Sequence, residues 1–130
     1  MSAALPLAVV EDDPGFSRAV VRYLRATGYE VSAFPSAEEF LAAQTAAFGC
    51  LILDLQLPGI SGFELFKQIS TSVPHRLAIF ISAQDEGEIR TELSRFPGCV
   101  FLHKPFAADD LLAAVRAQID RFRNAIDTLS

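Results

Sequence analysis

Five short apolar runs alternate with stretches of helical spacing along this chain, and that alternation limits the fold more than any other feature. The runs are "LPLAVV", "YEVSAF", "CLILD", "LAIFIS" and "CVFLH", each about the length of a strand. After the first, Phe16, Val20 and Leu24 recur at helical intervals behind Pro14, and Gly28 supplies a stop. Ser36 and Glu39 have the spacing of a capping box at the head of a second helix carrying Phe40 and Leu41. Gly62 precedes a third helix, "FELFKQIS", which Pro74 separates from the fourth strand. Ile89, Leu93 and Phe96 form a narrow stripe on a fourth, between Asp85 and Phe96. On the last helix Leu112, Val115, Ile119, Phe122 and Ile126 share one face, and Arg116, Asp120 and Arg123 form a solvated one. Strands alternating with helices through five rounds predict an α/β fold, a doubly wound parallel sheet covered on both faces by right-handed crossovers.

At 130 residues the chain is expected to form one domain, residues 1–130, with no linker or internal repeat. No apolar run approaches the roughly 18 residues of a membrane span, and the start, "MSAALPLAVVEDD", has no basic segment of a secretory signal. A soluble protein of the cytoplasm, without membrane contact, is the expectation. Cys50 and Cys99 sit in apolar surroundings without metal-ligand spacing and are read as buried, reduced thiols. A net charge of −5 argues against direct nucleic-acid binding, which needs clustered Lys and Arg.

In doubly wound sheets the functional crevice lies outside the carboxyl ends of the strands, so what each run ends on matters. The first ends in Glu11, Asp12 and Asp13, the third in Asp54, the fourth in Ser82 and Ala83, and the fifth in His103, Lys104 and Pro105. The second ends at Phe34-Pro35 and offers nothing comparable, as befits a strand at the sheet's margin. Singly, these residues have ordinary explanations: acids before a helix suit its dipole, and a lone Ser or Lys is a turn or surface residue. Two carboxylates about 4 Å apart repel by roughly 4 kcal/mol at an effective dielectric near 20. Asp54 beside Glu11 and Asp12 therefore needs a counter-charge. Three carboxylates with room for water and a phosphate oxygen suit Mg²⁺ better than Zn²⁺. Lys104 adds a second cation, Ser82 a hydroxyl, and Ala83 leaves access. Carboxylate nucleophile, cation, lysine and hydroxyl are what a transferring phosphoryl group requires. His75 and His103 are read as surface histidines.

"VVEDDP" (9–14), "LILDLQLPGISG" (51–62), "IFISA" (79–83) and "FLHKPF" (101–106) together resemble the receiver domain of two-component response regulators, in order and approximate spacing over essentially the whole chain. The resemblance implies a flavodoxin-like (βα)5 fold with a five-stranded sheet in the order 2-1-3-4-5. It also implies a Mg²⁺-dependent transfer of a phosphoryl group from a sensor histidine kinase's phosphohistidine to Asp54. Catalytic roles fall on Asp54, Lys104 and Ser82. Mg²⁺ falls to Glu11, Asp12, Asp54 and the backbone carbonyl of Gln56. Ser82 and Phe101 take the switch positions, and Gln56 and Gln84 those that tune phosphate loss. The chain is then mainly a signalling switch that catalyses its own phosphorylation and slow dephosphorylation. Phosphorylation would reshape the face of helix four, strand five and helix five for homodimerisation or output control. Asp13 lies just beyond the acidic pair. Glu11 stands where Asp is commoner, and Leu57 where Met is usual. The approach to strand five is one residue short, with Pro97 where Ala is common, and Ala107 lacks the capping side chain often found at the last helix. The rivals are a receiver-like interaction module that works without phosphorylation and an aspartate-nucleophile phosphohydrolase. The second expects an aspartate where Gln56 stands. A flavin-binding protein of similar topology lacks support, for there is no clear phosphate-cradling loop.

Overall fold

The computed structural model describes residues 6–43, 48–71 and 77–129, with side chains as far as residue 124. His75 and Pro74 lie outside the described residues. Ten elements alternate: β1 (Leu7–Val10), α1 (Pro14–Ala26), β2 (Val31–Phe34), α2 (Ala37–Ala42), β3 (Cys50–Asp54), α3 (Gly62–Ser70), β4 (Leu77–Ser82), α4 (Glu86–Leu93), β5 (Val100–His103) and α5 (Ala108–Leu129). All strand pairs are parallel, in the order β2-β1-β3-β4-β5, so β2 does lie at the margin. No helix among the described residues is long and apolar enough to cross a membrane.

Alternation along the strands divides the core in two. Ala8, Val10, Leu51, Leu53, Ala78 and Phe80 face one side with Phe40 of α2, Phe63, Leu65 and Phe66 of α3, and Ile89 of α4. Leu7, Val9, Cys50, Ile52, Ile79 and Ile81 face the other, against Val20 and Leu24 of α1 and Leu111, Val115 and Ile119 of α5. The central strands are buried on both faces, which is why β3 and β4 read as continuous apolar runs. Cys50 is buried, and its thiol is pushed up to about 12 by the loss of hydration. Cys99 is free but only half-buried, short of full burial because it stands before an edge strand.

Helix boundaries follow the local chemistry. Asp13 caps α1, its carboxylate accepting the N–H groups of Gly15 and Phe16 at 3.0 and 3.3 Å, with Pro14 in the first turn. Gly28, at φ +102°, takes the chain out of α1 in a left-handed turn. Ser36 accepts the Glu39 N–H at 3.1 Å at the start of α2. α4 is shorter than the stripe to Phe96 suggests: it ends at Leu93, and Ser94–Phe96 close in turns. Pro97 disfavours a helical Phe96, and Gly98, at φ +92°, turns the chain into β5. Phe96 nonetheless keeps its apolar role, stacked on Phe63 at 5.6 Å and 6°. On α5, Gln118 is fully buried, and its amide donates to the carbonyls of Ala78 in β4 and Gly98, both at 2.9 Å. Arg121 donates to the same Gly98 carbonyl at 2.7 Å.

Candidate functional site

Register alone brings the acids together. Val10 pairs with Leu53 across β1 and β3, so Glu11 and Asp54, the residues that follow, emerge side by side. Both are buried, at 2 % and 3 % exposure, while Asp12 is exposed. One carboxylate oxygen from each of Glu11, Asp12 and Asp54 falls within a set whose members lie no more than 4.8 Å apart. Lys104 reaches this cluster from the end of β5, its Nζ donating to Glu11 Oε1 at 2.7 Å and to Asp54 Oδ2 at 3.2 Å. The second oxygens are held by the backbone: Asp54 Oδ1 accepts the Gln56 N–H at 2.8 Å, and Glu11 Oε2 the Asp13 N–H at 3.1 Å.

One ammonium between two buried carboxylates leaves the site short of positive charge. Burial, and the proximity of Asp54, raise Glu11 from 4.5 to about 7, against the pull of Lys104 and the Asp13 N–H. Burial works against the charge of Lys104 as well. Its hydrogen bond to Glu11 and the fields of Asp54 and Glu11 outweigh that and hold it above lysine's ordinary value. The pocket thus has an oxygen-rich donor set with unsatisfied negative charge, the chemistry of a hard divalent cation site.

Ser82, fully buried, ends β4 between the strands that carry Asp54 and Lys104, and its carbonyl accepts the Lys104 N–H at 2.8 Å. Its hydroxyl accepts the Gln84 N–H at 3.0 Å. Ala83 is exposed, Gln56 is exposed and Gln84 half-buried at the rim. Phe101 is half-buried on β5, packed against the α2–α3–α4 side of the core, and lines an open cleft with Asp85, His103 and Phe106. His103 is exposed, as its sequence reading holds, with Nε2 3.1 Å from the Ala83 carbonyl oxygen and 3.7 Å from Asp85.

Sequence reasoning missed three contributors. Asp13 closes α1 and donates its own N–H into the pocket, a role signalled by Asp-Pro before a helical stripe. Phe16 lies with its ring centroid 4.3 Å from Lys104 Nζ. Gly62, the first residue of α3, packs against the backbone of Asp54 itself: a Cβ there would fall 2.6 Å from the Asp54 carbonyl oxygen and 3.2 Å from Leu55 Cα. Neither is the end of a flexible side chain, so the backbone would have to move. Gly62→Ala is expected to lower stability by about 2 kcal/mol, read as a shift in the urea midpoint at unchanged slope.

A doubly wound sheet of order 2-1-3-4-5 with an acidic strand-edge pocket bridged by a lysine defines a class, the flavodoxin-like α/β proteins that place their chemistry where the strand order reverses. Within that class the chain belongs to the response regulator receiver domain family, whose model matches residues 7–116. It is 32% identical over 122 residues to the transcriptional regulatory protein FixJ of Azorhizobium caulinodans, covering 93% of this chain and 58% of that protein. It is 35% identical over 116 residues to nodulation protein W of Bradyrhizobium diazoefficiens, covering 88% of this chain and 51% of that protein. The chain thus spans little more than half the length of these two relatives. Among solved structures it is similar to the response regulator TrrA of Thermotoga maritima in complex with Mg²⁺-BeF, with a TM-score of 0.77 and 27% identity over 87% of this chain and 97% of that one.

Proposed function

We propose that this chain, residues 1–130, is a single receiver domain that takes a phosphoryl group from a sensor histidine kinase onto Asp54 in a Mg²⁺-dependent reaction. The observation that carries the reading is the Lys104 ammonium bonded to both Glu11 and Asp54 beside the exposed Asp12 carboxylate. Glu11, Asp12, Asp54 and the Gln56 carbonyl would hold Mg²⁺, and the TrrA structure, a complex with Mg²⁺-BeF, supports that assignment by family likeness. When bound, the ion would neutralise the charge of the incoming phosphoryl oxygens. In the transfer, a P–N bond of the donor phosphohistidine breaks as a P–O bond to Asp54 forms. Lys104 would hold a phosphoryl oxygen, and the exposed Ala83 would leave the approach open.

Phosphorylation adds a charge of about −1.5 to −2. Ser82, at the end of β4, would turn its hydroxyl from the Gln84 N–H toward the new oxygens, and the half-buried Phe101 would follow. The surface of α4, β5 and α5 would then change for homodimerisation or output control. α4 is suited to move because Ile89 is its one buried residue. Gln56 and Gln84, at the rim, would set how fast water removes the phosphate.

The test is incubation with Mg²⁺ and acetyl phosphate, followed by intact-mass spectrometry. The chain is expected to gain one phosphate, to gain none when EDTA removes the metal, and none as Asp54→Asn. Phosphate retained by the Asn variant would overturn the assignment of the acceptor.

A further inference from the structure

Resting on that functional reading, we propose that Phe16 is a positioning residue for the reaction, its ring fixing where the Lys104 ammonium stands. The two carboxylates account for two of the ammonium's three N–H groups. The Lys104 side chain is 23 % exposed, so water competes for the ammonium, and a four-carbon stem lets it leave for solvent. Phe16 opposes this. Its ring centroid lies 4.3 Å from Nζ, within the range at which the ring's negative face attracts a cation. It occupies space that water would otherwise take while supplying no acceptor strong enough to draw the ammonium from Glu11 and Asp54.

Phe16 is braced from two sides. The Asp13 cap accepts its N–H at 3.3 Å and fixes the first turn of α1. Phe106, two residues beyond Lys104, meets its ring edge-on, at 5.8 Å and 87°. The segment that delivers the lysine therefore also steadies the ring beneath it. Phe16 is only half-buried, whereas the residues α1 buries are Ser17, Val20 and Leu24. Its place at the head of the helix is better explained by Lys104 than by the core alone.

The test compares Phe16→Leu, which keeps apolar bulk and loses the aromatic face, with Phe16→Tyr, which keeps the face. Two readouts separate positioning from general packing. By NMR, the Lys104 Cε protons should show a ring-current shift in the wild type and in Phe16→Tyr, and lose it in Phe16→Leu. With acetyl phosphate at saturating Mg²⁺, the phosphoryl P–O bond to acetate breaks as one to Asp54 forms, and acetate leaves as the anion. Phe16→Leu should run this transfer about three- to tenfold more slowly, and Phe16→Tyr should stay near the wild-type rate. A wild-type rate in Phe16→Leu, or no ring-current shift in the wild type, overturns the proposal. If Phe16→Leu does not fold, Phe16→Met carries the same comparison. A wild-type chain that shows the shift yet takes up no phosphate overturns the functional reading while supporting the lysine–ring contact.

Discussion

Lys104→Met is expected to lose about 3 kcal/mol of stability at about pH 8, because removing one partner of a buried pair leaves the other charges uncompensated. Glu11 and Asp54 would then face each other with their shared ammonium gone. The loss should shrink as pH falls. In the wild type Glu11 stands at about 7 in the folded protein against an ordinary 4.5, so the folded state holds more protons than the unfolded chain between those values. Its contribution to stability is therefore complete below pH 4.5 and is lost as pH rises to about 7. The raised value of Lys104 leaves its contribution whole below pH 10.5, to be lost only as pH rises above that. Without the lysine, Glu11 loses a group that lowers it and stays protonated to higher pH still. The variant's deficit should thus be largest near pH 8 and smallest near about pH 5, as urea titrations across that range would read. A deficit independent of pH would mean that Lys104 contributes by its hydrocarbon stem rather than by its charge.

Phe80→Ala should cost about 4 kcal/mol, the middle of the range for emptying an aromatic from a packed core. Phe80 is fully buried on β4, with ring centroids 4.8 Å from Phe63, 5.6 Å from Phe66 and 5.7 Å from Phe96. It is the ring on which α3 and the segment after α4 both rest. Since α4 buries only Ile89 along its own length, losing the Phe80–Phe96 contact should free it selectively. Hydrogen exchange would show this as faster exchange in α4 than in α3 or α5, beyond the global change in stability. Uniform acceleration would mean that α4 is held by its other contacts.

The sheet was legible because its signals are local and repeated. Runs such as "CLILD" and "LAIFIS" need only their own residues to read as buried strands, and parallel order follows from the helices between them. The meeting of Glu11, Asp12, Asp54 and Lys104 was legible for a related reason: strand ends on one edge must converge, and each ended on a charged residue. Less legible was whatever depends on how closely two segments approach. Phe16 reads as the first of a helical stripe with Val20 and Leu24, and nothing in that spacing says a lysine from the far end of the chain will lie against it. Gly62 reads as a helix start, while its contact with the Asp54 carbonyl depends on the path of the intervening loop. Gln118 interrupts an apolar face with a polar residue whose two carbonyl partners come from β4 and the turn before β5. The end of α4 was set by Pro97 and Gly98, which override the apolar spacing that runs on to Phe96.

Gln118, midway along α5, also restricts how that helix can respond to events at its N-terminal end. Sliding the helix along its axis by one turn, about 5.4 Å, would tear the amide from the Ala78 and Gly98 carbonyls and leave the buried Gln118 amide without those partners. Arg121 adds a second tether to Gly98. α5 is therefore pinned at its middle as well as by the buried Leu111 and Val115, and is barred from acting as a piston.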